Sequence, residues 1–212
     1  MTKTVTCCGG LPRSVIGIDE VGRGSLIGEV TAAAVYFTTD LPEGIRDSKK
    51  LSAKKRDALD LLIRQNAIVC VGSASVHEID ERNIFAATLL AMKRAYEGIA
   101  SSLPKTILEE TTVIVDGDRA PFLGHPPRMV TALVNADNLC KTVGAASIIA
   151  KVHRDRLISR LHDMDQRYGW DRNKGYGTRE HRQMIQLHGP SEHHRRSFEP
   201  VKTMTGYKTS IK

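Results

Sequence analysis

The 212-residue chain lacks most of the features that declare a protein's class at a glance. Its four cysteines, Cys7, Cys8, Cys70 and Cys140, include no CxxC spacing, which argues against a zinc site. A chain of 23.4 kDa needs no disulfide scaffold, so the cysteine usage fits a reducing compartment and a cytoplasmic location is expected. No apolar run approaches the ~20 residues of a membrane span. Met1 to Arg13 reads as a frayed polar start without the apolar stretch of a signal peptide, so no membrane partner is expected. Internal repeats and low-complexity segments are missing. Acid is the minority charge: 24 Asp plus Glu stand against 31 Lys plus Arg, for a net charge of +7 and a pI near 9.3. That balance favours polyanionic partners, although a basic surface also serves simple solubility.

What is present is enough apolar material for one ordinary core, 41% of residues, with room for a small appendage. Val15 to Asp19 and Glu29 to Phe37 read as paired strands, with the turn signal at Gly24-Ser25 and Gly28 before the second strand. Ser52 is placed to cap a helix to about Asn66, followed by an alternating strand over Ala67–Val76. His77–Ala100 carries apolar residues at helical spacing. Thr111–Val115 and Arg128–Val134 read as short strands, the first ending at Asp116 and the second near Asp137. A long helix over Leu139–Asp165, a Gly- and Asn-containing loop over Tyr168–Thr178 and a helix over Thr178–His188 complete the reading. Interleaved strands and helices make the class α/β.

Acid is concentrated where it matters in such folds. Gly17-Ile18-Asp19-Glu20-Val21-Gly22-Arg23-Gly24 runs an apolar strand into two carboxylates and then into glycines around an arginine. Asp116 and Asp137 stand near the ends of two other expected strands, and α/β sheets gather function at strand ends. Converging carboxylates repel one another, and hard divalent cations relieve that repulsion and suit phosphodiester hydrolysis. Successive strand residues point to opposite faces, so Asp19 and Glu20 share a site only if the strand bends or ends there. A solvated turn is an equally good reading of that pair. Asp118 reads as a loop residue, Asp155 as a helix-surface ion-pair partner and Asp47 as a loop-ordering group.

Two kinds of basic segment accompany the acids. Ser48-Lys49-Lys50 and Lys151–Arg156 carry groups able to touch phosphates, contacts that set register without reading sequence. For any single cation, a solvated face is the simpler assignment. Asn173-Lys174-Gly175-Tyr176-Gly177-Thr178 is more specific, because a tyrosine between glycines in a polar loop is available to stack on a sugar or base. His193-His194-Arg195-Arg196-Ser197-Phe198 reads as a phosphate contact or a structural element.

In order and content, these motifs resemble ribonuclease HII, the type 2 ribonuclease H family. The resemblance runs from Val15 to about Lys202 and rests on the Asp19-Glu20 element, Asp47–Ser52, Val115-Asp116-Gly117, Ala145–Asp155, Lys174–Thr178 and His194–Phe198. It implies a ribonuclease H-like mixed sheet flanked by helices over residues 14–165, and a small helical substrate-binding segment over 166–212. It implies a monomeric endonuclease that cuts the RNA strand of RNA/DNA hybrids and duplex DNA with single embedded ribonucleotides, leaving 3′-hydroxyl and 5′-phosphate ends. The cofactor implied is Mn²⁺ or Mg²⁺, held by Asp19, Glu20, Asp116 and Asp137. Gly22, Arg23 and Gly24 would read the ribose 2′-hydroxyl, Tyr176 would sense the junction, and Ser48, Lys49, Lys151 and Arg154 would contact phosphates.

Two positions depart from the family pattern. Ser25 stands where many relatives have proline, which is expected to loosen the loop. Asn135-Ala136-Asp137-Asn138 replaces the usual Gly-Asp context of the fourth acid. The competing readings are a resolvase- or transposase-like nuclease of the same fold, and a duplex-binding protein that has lost catalysis. Cleavage of all-DNA substrate separates the first, and metal-dependent turnover of a hybrid separates the second. A small-molecule phosphatase is the more distant alternative, because the spread of basic segments implies a long ligand.

Overall fold

The computed structural model describes residues 14–45, 51–123 and 127–208. At its centre lies a five-stranded mixed sheet in the order β3-β2-β1-β4-β5. Strand β1 (Val15–Val21) pairs antiparallel with β2 (Val30–Phe37), which pairs antiparallel with β3 (Ala67–Ala74). On its other side β1 runs parallel to β4 (Thr112–Asp116), and β4 runs parallel to β5 (Met129–Leu133). Three strands therefore point their C-terminal ends the same way. Ile18 is level with Val115, so one step along each strand reaches Asp19 and Asp116.

Both faces of the sheet are covered, and the period-2 alternation of β2 shows how. Val30, Ala32 and Ala34 pack with Ile16 and Ile18 against α2 (Val76–Ser102). Ala33, Val35 and Phe37 pack on the opposite face with Ile63 of α1 (Ala53–Asn66) and Ala145, Ala146 and Ile149 of α5 (Lys141–Met164). Small buried residues at the start of α5 let it lie close on the sheet. Ser52 caps α1 as expected, accepting from the Lys55 amide. Ser75 and Glu78 form a capping box at the start of α2.

Three sequence expectations need correcting. Helix α2 is not continuous: Asn83 is left-handed (φ 70), and its side-chain oxygen caps Ala86 to restart the helix. Asp137 does not end a strand, because β5 stops at Leu133 and Asp137 lies in the short helix α4 (Ala136–Leu139). The loop expected over Tyr168–Thr178 contains the one-turn helix α6 (Trp170–Asn173). Two further helices gave no clear sequence signal, α3 (Lys105–Glu110) and α8 (Val201–Thr205). Helix α7 (Arg179–His188) starts at its Thr178 cap as read. With α6 and α8 it builds a further apolar cluster, of Tyr168, Trp170, Ile185 and Val201 on Leu26, Ile27 and Ile158. The C-terminal residues thus pack on the loop that follows the Asp19-Glu20 pair.

Candidate active site

Strand β1 continues through both acids to Val21, so the alternation of the pleat holds and the two side chains leave on opposite faces. Asp19 points toward α5 and is hydrogen-bonded to Ser147. Glu20 lines a recess on the α2 side with Asp116, Arg23, Phe85 and Arg119. No bend brings the two side chains to one face. They stand at the open end of the parallel strands, and each feels the charge of Asp116.

The electrostatics are those of crowded carboxylates. Burial, then the charge of Glu20 and that of Asp116, raise the Asp19 pKa well above the usual carboxylate range, against the lowering effect of its Ser147 hydrogen bond. Burial and Asp116 likewise raise Glu20, although Arg23 Nη1 lies 3.4 Å from Glu20 Oε1 and pulls the other way. Asp116 Oδ1 accepts from the Ala136 amide at 2.7 Å, which ties the start of α4 to the end of β4. Asp137, one residue on, is buried and accepts from Asn138 Nδ2 at 3.0 Å. Asp118, read as a loop residue, sits on the rim of the same recess.

A donor set of buried, mutually repelling carboxylate oxygens suits a hard divalent cation. Among the described residues, however, no three His, Cys, Asp or Glu side chains stand close enough to hold one ion as they lie. Ion capture here requires Asp19, Glu20 and Asp116 to draw inward.

The loop after β1 is built to a tight specification. Gly22 has φ +92, and a Cβ there would lie 2.5 Å from Arg154 Nε. Arg23 and Gly24 are exposed. Two buried arginines hold the loop by its carbonyls. Arg195 donates to Gly22 (2.7 Å), Arg23 (2.9 Å), Gly28 (2.9 Å) and Glu29 (3.2 Å). Arg154 donates to Glu29 (2.6 Å) and Ile27 (3.2 Å). Burial, with Arg154 as a like-charged neighbour, pulls Arg195 down to about 9.

Arg154 is therefore misassigned by the sequence reading. It is 1% exposed and spends its donors on main-chain oxygens, so it is a loop clamp and not a phosphate contact. In the sequence Arg195 stands out only as part of a basic run. Nothing in Lys-Val-His-Arg-Asp-Arg or His-His-Arg-Arg tells which guanidinium faces inward. Lys151 is half-buried and paired with Asp155 at 2.7 Å. Ser48 and Lys49 lie outside the described residues.

Ser25 does the reverse of what its departure from proline suggests. It is fully buried, and its hydroxyl reaches Gly175 O at 3.0 Å and Ile27 O at 3.1 Å. Leu26 N–H donates to the same Gly175 carbonyl at 2.8 Å, and Ser25 and Tyr176 form an antiparallel bridge. The arginine–glycine loop and the tyrosine loop are thus fastened together. Gly175, at φ +80, has no space for a Cβ, which would stand 2.5 Å from Ile27 Cγ1. Tyr176 itself remains 38% exposed.

Comparison with known proteins agrees with this architecture. The family model Ribonuclease HII matches residues 16–201. A ribonuclease HII of Burkholderia vietnamiensis is 50% identical over 192 residues, covering 89% of this chain and 83% of the relative. The crystal structure of ribonuclease H2 from Pyrococcus horikoshii superposes with a TM-score of 0.64 at 26% identity, covering 91% and 97% of the two chains. Bst-RNase HIII in complex with Mn²⁺ shares the fold, with a TM-score of 0.68 at 22% identity over 91% and 69%. The chain belongs to the ribonuclease HII family, and it is a ribonuclease H, a hydrolytic endonuclease.

Proposed function

We propose that the chain cuts the RNA strand of RNA/DNA hybrids and the ribonucleotide junction in duplex DNA, leaving 3′-hydroxyl and 5′-phosphate ends. The observation that carries this reading is the meeting of three elements: the acids Asp19, Glu20 and Asp116, the exposed Arg23-Gly24 loop, and the Tyr176 loop fastened to it through Ser25. Asp19, Glu20 and Asp116, with Asp137 on the adjoining helix, would hold Mn²⁺ or Mg²⁺. Bound there, the ion would supply Lewis-acid stabilisation of charge developing on phosphodiester oxygens. Arg23 brings positive charge beside Glu20 and faces an incoming phosphate. Arg195 and Arg154 occupy the loop's carbonyls, leaving the Gly22–Gly24 backbone pre-set for a ribose 2′-hydroxyl, the group that separates RNA from DNA. Tyr176 stacks on the nucleotide at the junction. Residues 166–212 serve as the substrate-binding segment and Lys151 as a phosphate contact, in a monomer acting in the cytoplasm.

The test is incubation with duplex DNA carrying one ribonucleotide, with and without Mn²⁺ or Mg²⁺, mapping the cut. A single metal-dependent cut at the ribonucleotide is expected. Equal cutting of an all-DNA duplex would favour a nuclease of the same fold with another specificity.

A further inference from the structure

Behind the tyrosine loop runs a chain of hydrogen bonds whose direction is forced. The Ser191 amide stands 2.9 Å from His194 Nδ1. An amide only donates, so Nδ1 accepts and the His194 proton resides on Nε2. The Trp170 indole N–H lies 3.0 Å from His181 Nε2. An indole also only donates, so that nitrogen accepts and the His181 proton resides on Nδ1. The Nε2 atoms of the two rings are 3.3 Å apart, and the single lone pair of His181 Nε2 is shared between the His194 N–H and the closer Trp170 indole N–H. His181 Nδ1 then donates to the carbonyl of Tyr176 at 3.0 Å.

We propose that His194 and His181 form a neutral, proton-ordered relay that fixes the main chain of Tyr176, and that both are positioning residues for discrimination of the ribonucleotide junction. The proposal rests on the reading of Tyr176 given above. The Tyr176 peptide is held at each end: its N–H donates to Asn173 O at 2.9 Å, and its carbonyl also accepts from Thr178 N–H at 2.8 Å. Only the ring is left to meet a ligand. Loss of the His181 donor leaves the carbonyl on the Thr178 amide alone, with one restraint fewer against a tilt of the peptide and its ring.

The surroundings keep the relay neutral. Both histidines are buried, at 0% and 1% exposure, against the stacked rings of Tyr168 and Trp170. Burial lowers the His181 pKa, and burial with the neighbouring His181 brings His194 down to about 3. The charged groups facing the pair are Glu180 beside His181, and His193 and Asp165 around His194. A second proton on His181 would set an N–H against those of Trp170 and His194.

The test compares steady-state cleavage of duplex DNA carrying one ribonucleotide with cleavage of a continuous RNA/DNA hybrid. His181→Phe fills the space without the donor, and His181→Asn keeps an N–H near the Nδ1 position. His181→Phe is expected to lower kcat at the single ribonucleotide by ~10-fold or more, with duplex affinity and hybrid cleavage changed by less than ~3-fold. His181→Asn should recover most of that loss, and His194→Phe should behave as His181→Phe does. Equal losses on both substrates, or an Asn variant no better than Phe, would overturn the relay. If His181→Phe does not fold, folded His181→Asn with junction selectivity ~10-fold below wild type would also overturn it. Tyr176→Ala separates the two claims. Unchanged junction selectivity in Tyr176→Ala sinks the reading of Tyr176, whereas lost selectivity there with none lost in His181→Phe sinks the relay alone.

Discussion

Of the two acids on β1, Asp19 is the one whose charged form the fold disfavours more. Its folded pKa is raised, so its ionisation opposes folding: the stability lost begins as pH climbs past the ordinary carboxylate range and is fully lost above the raised value. Asp19→Asn should therefore melt higher than wild type at neutral pH in metal-free buffer, by up to several degrees. The difference should shrink as pH falls and wild-type Asp19 takes up its proton, a trend that thermal melts across pH would show. Arg195 is the opposite kind of residue, buried for the sake of the backbone around it. Replacing it with Met leaves four loop carbonyls short of a donor and should cost on the order of 3 kcal/mol or more in urea unfolding. Arg154→Met should also lower stability while leaving the salt slope of duplex binding unchanged, because its charge never meets a phosphate.

At the scale of elements, Asp19, Glu20 and Asp116 come near one another because the parallel strands β1 and β4 end side by side, and the loops meet because the C-terminal helices pack on Leu26 and Ile27. That second junction carries its own pH dependence. His181 and His194 are held neutral, with His194 depressed from 6.5 to about 3. A histidine with a lowered folded pKa contributes stability above its unfolded value, lost as pH drops toward the folded value. Urea midpoints should hold steady above pH 7 and fall below about 6.5, with a slope near 1.4 kcal/mol per pH unit for each proton taken up on unfolding. Because Asp19 and Glu20 gain stability over the same fall in pH, the profile is read as the difference between wild type and a His181→Phe, His194→Phe variant, and a difference flat from pH 7 to 4 would show that the pair is not buried as a neutral unit. Elements with local signals were legible in the sequence: β3 by its alternation, α1 by Ser52 and α7 by its bounds at Thr178 and His188. The break at Asn83 was not, because the apolar spacing of α2 continues through it. Asp137 was drawn to a strand end because β5 and α4 are separated by only two residues, one of them left-handed Asn135. The inward turn of Arg154 and Arg195 was hidden too, since a basic run looks the same whether its charge meets water or carbonyls.

The whole molecule presents an acidic centre within a chain of net charge +7. A polyanion held mainly through its phosphates should lose affinity steeply with salt, log K falling linearly with log salt as counterions are released. The ribonuclease HII family model matches residues 16–201, and the crowded acids at one end of the sheet lie within that span. The direct test of the acidic centre is metal-dependent turnover of an RNA/DNA hybrid by wild type and Asp19→Asn, with hybrid affinity measured on the same preparations. Turnover in Asp19→Asn should fall at least ~100-fold with affinity within ~3-fold of wild type. Near-normal turnover by that variant would contradict the assignment of Asp19, and with it the site.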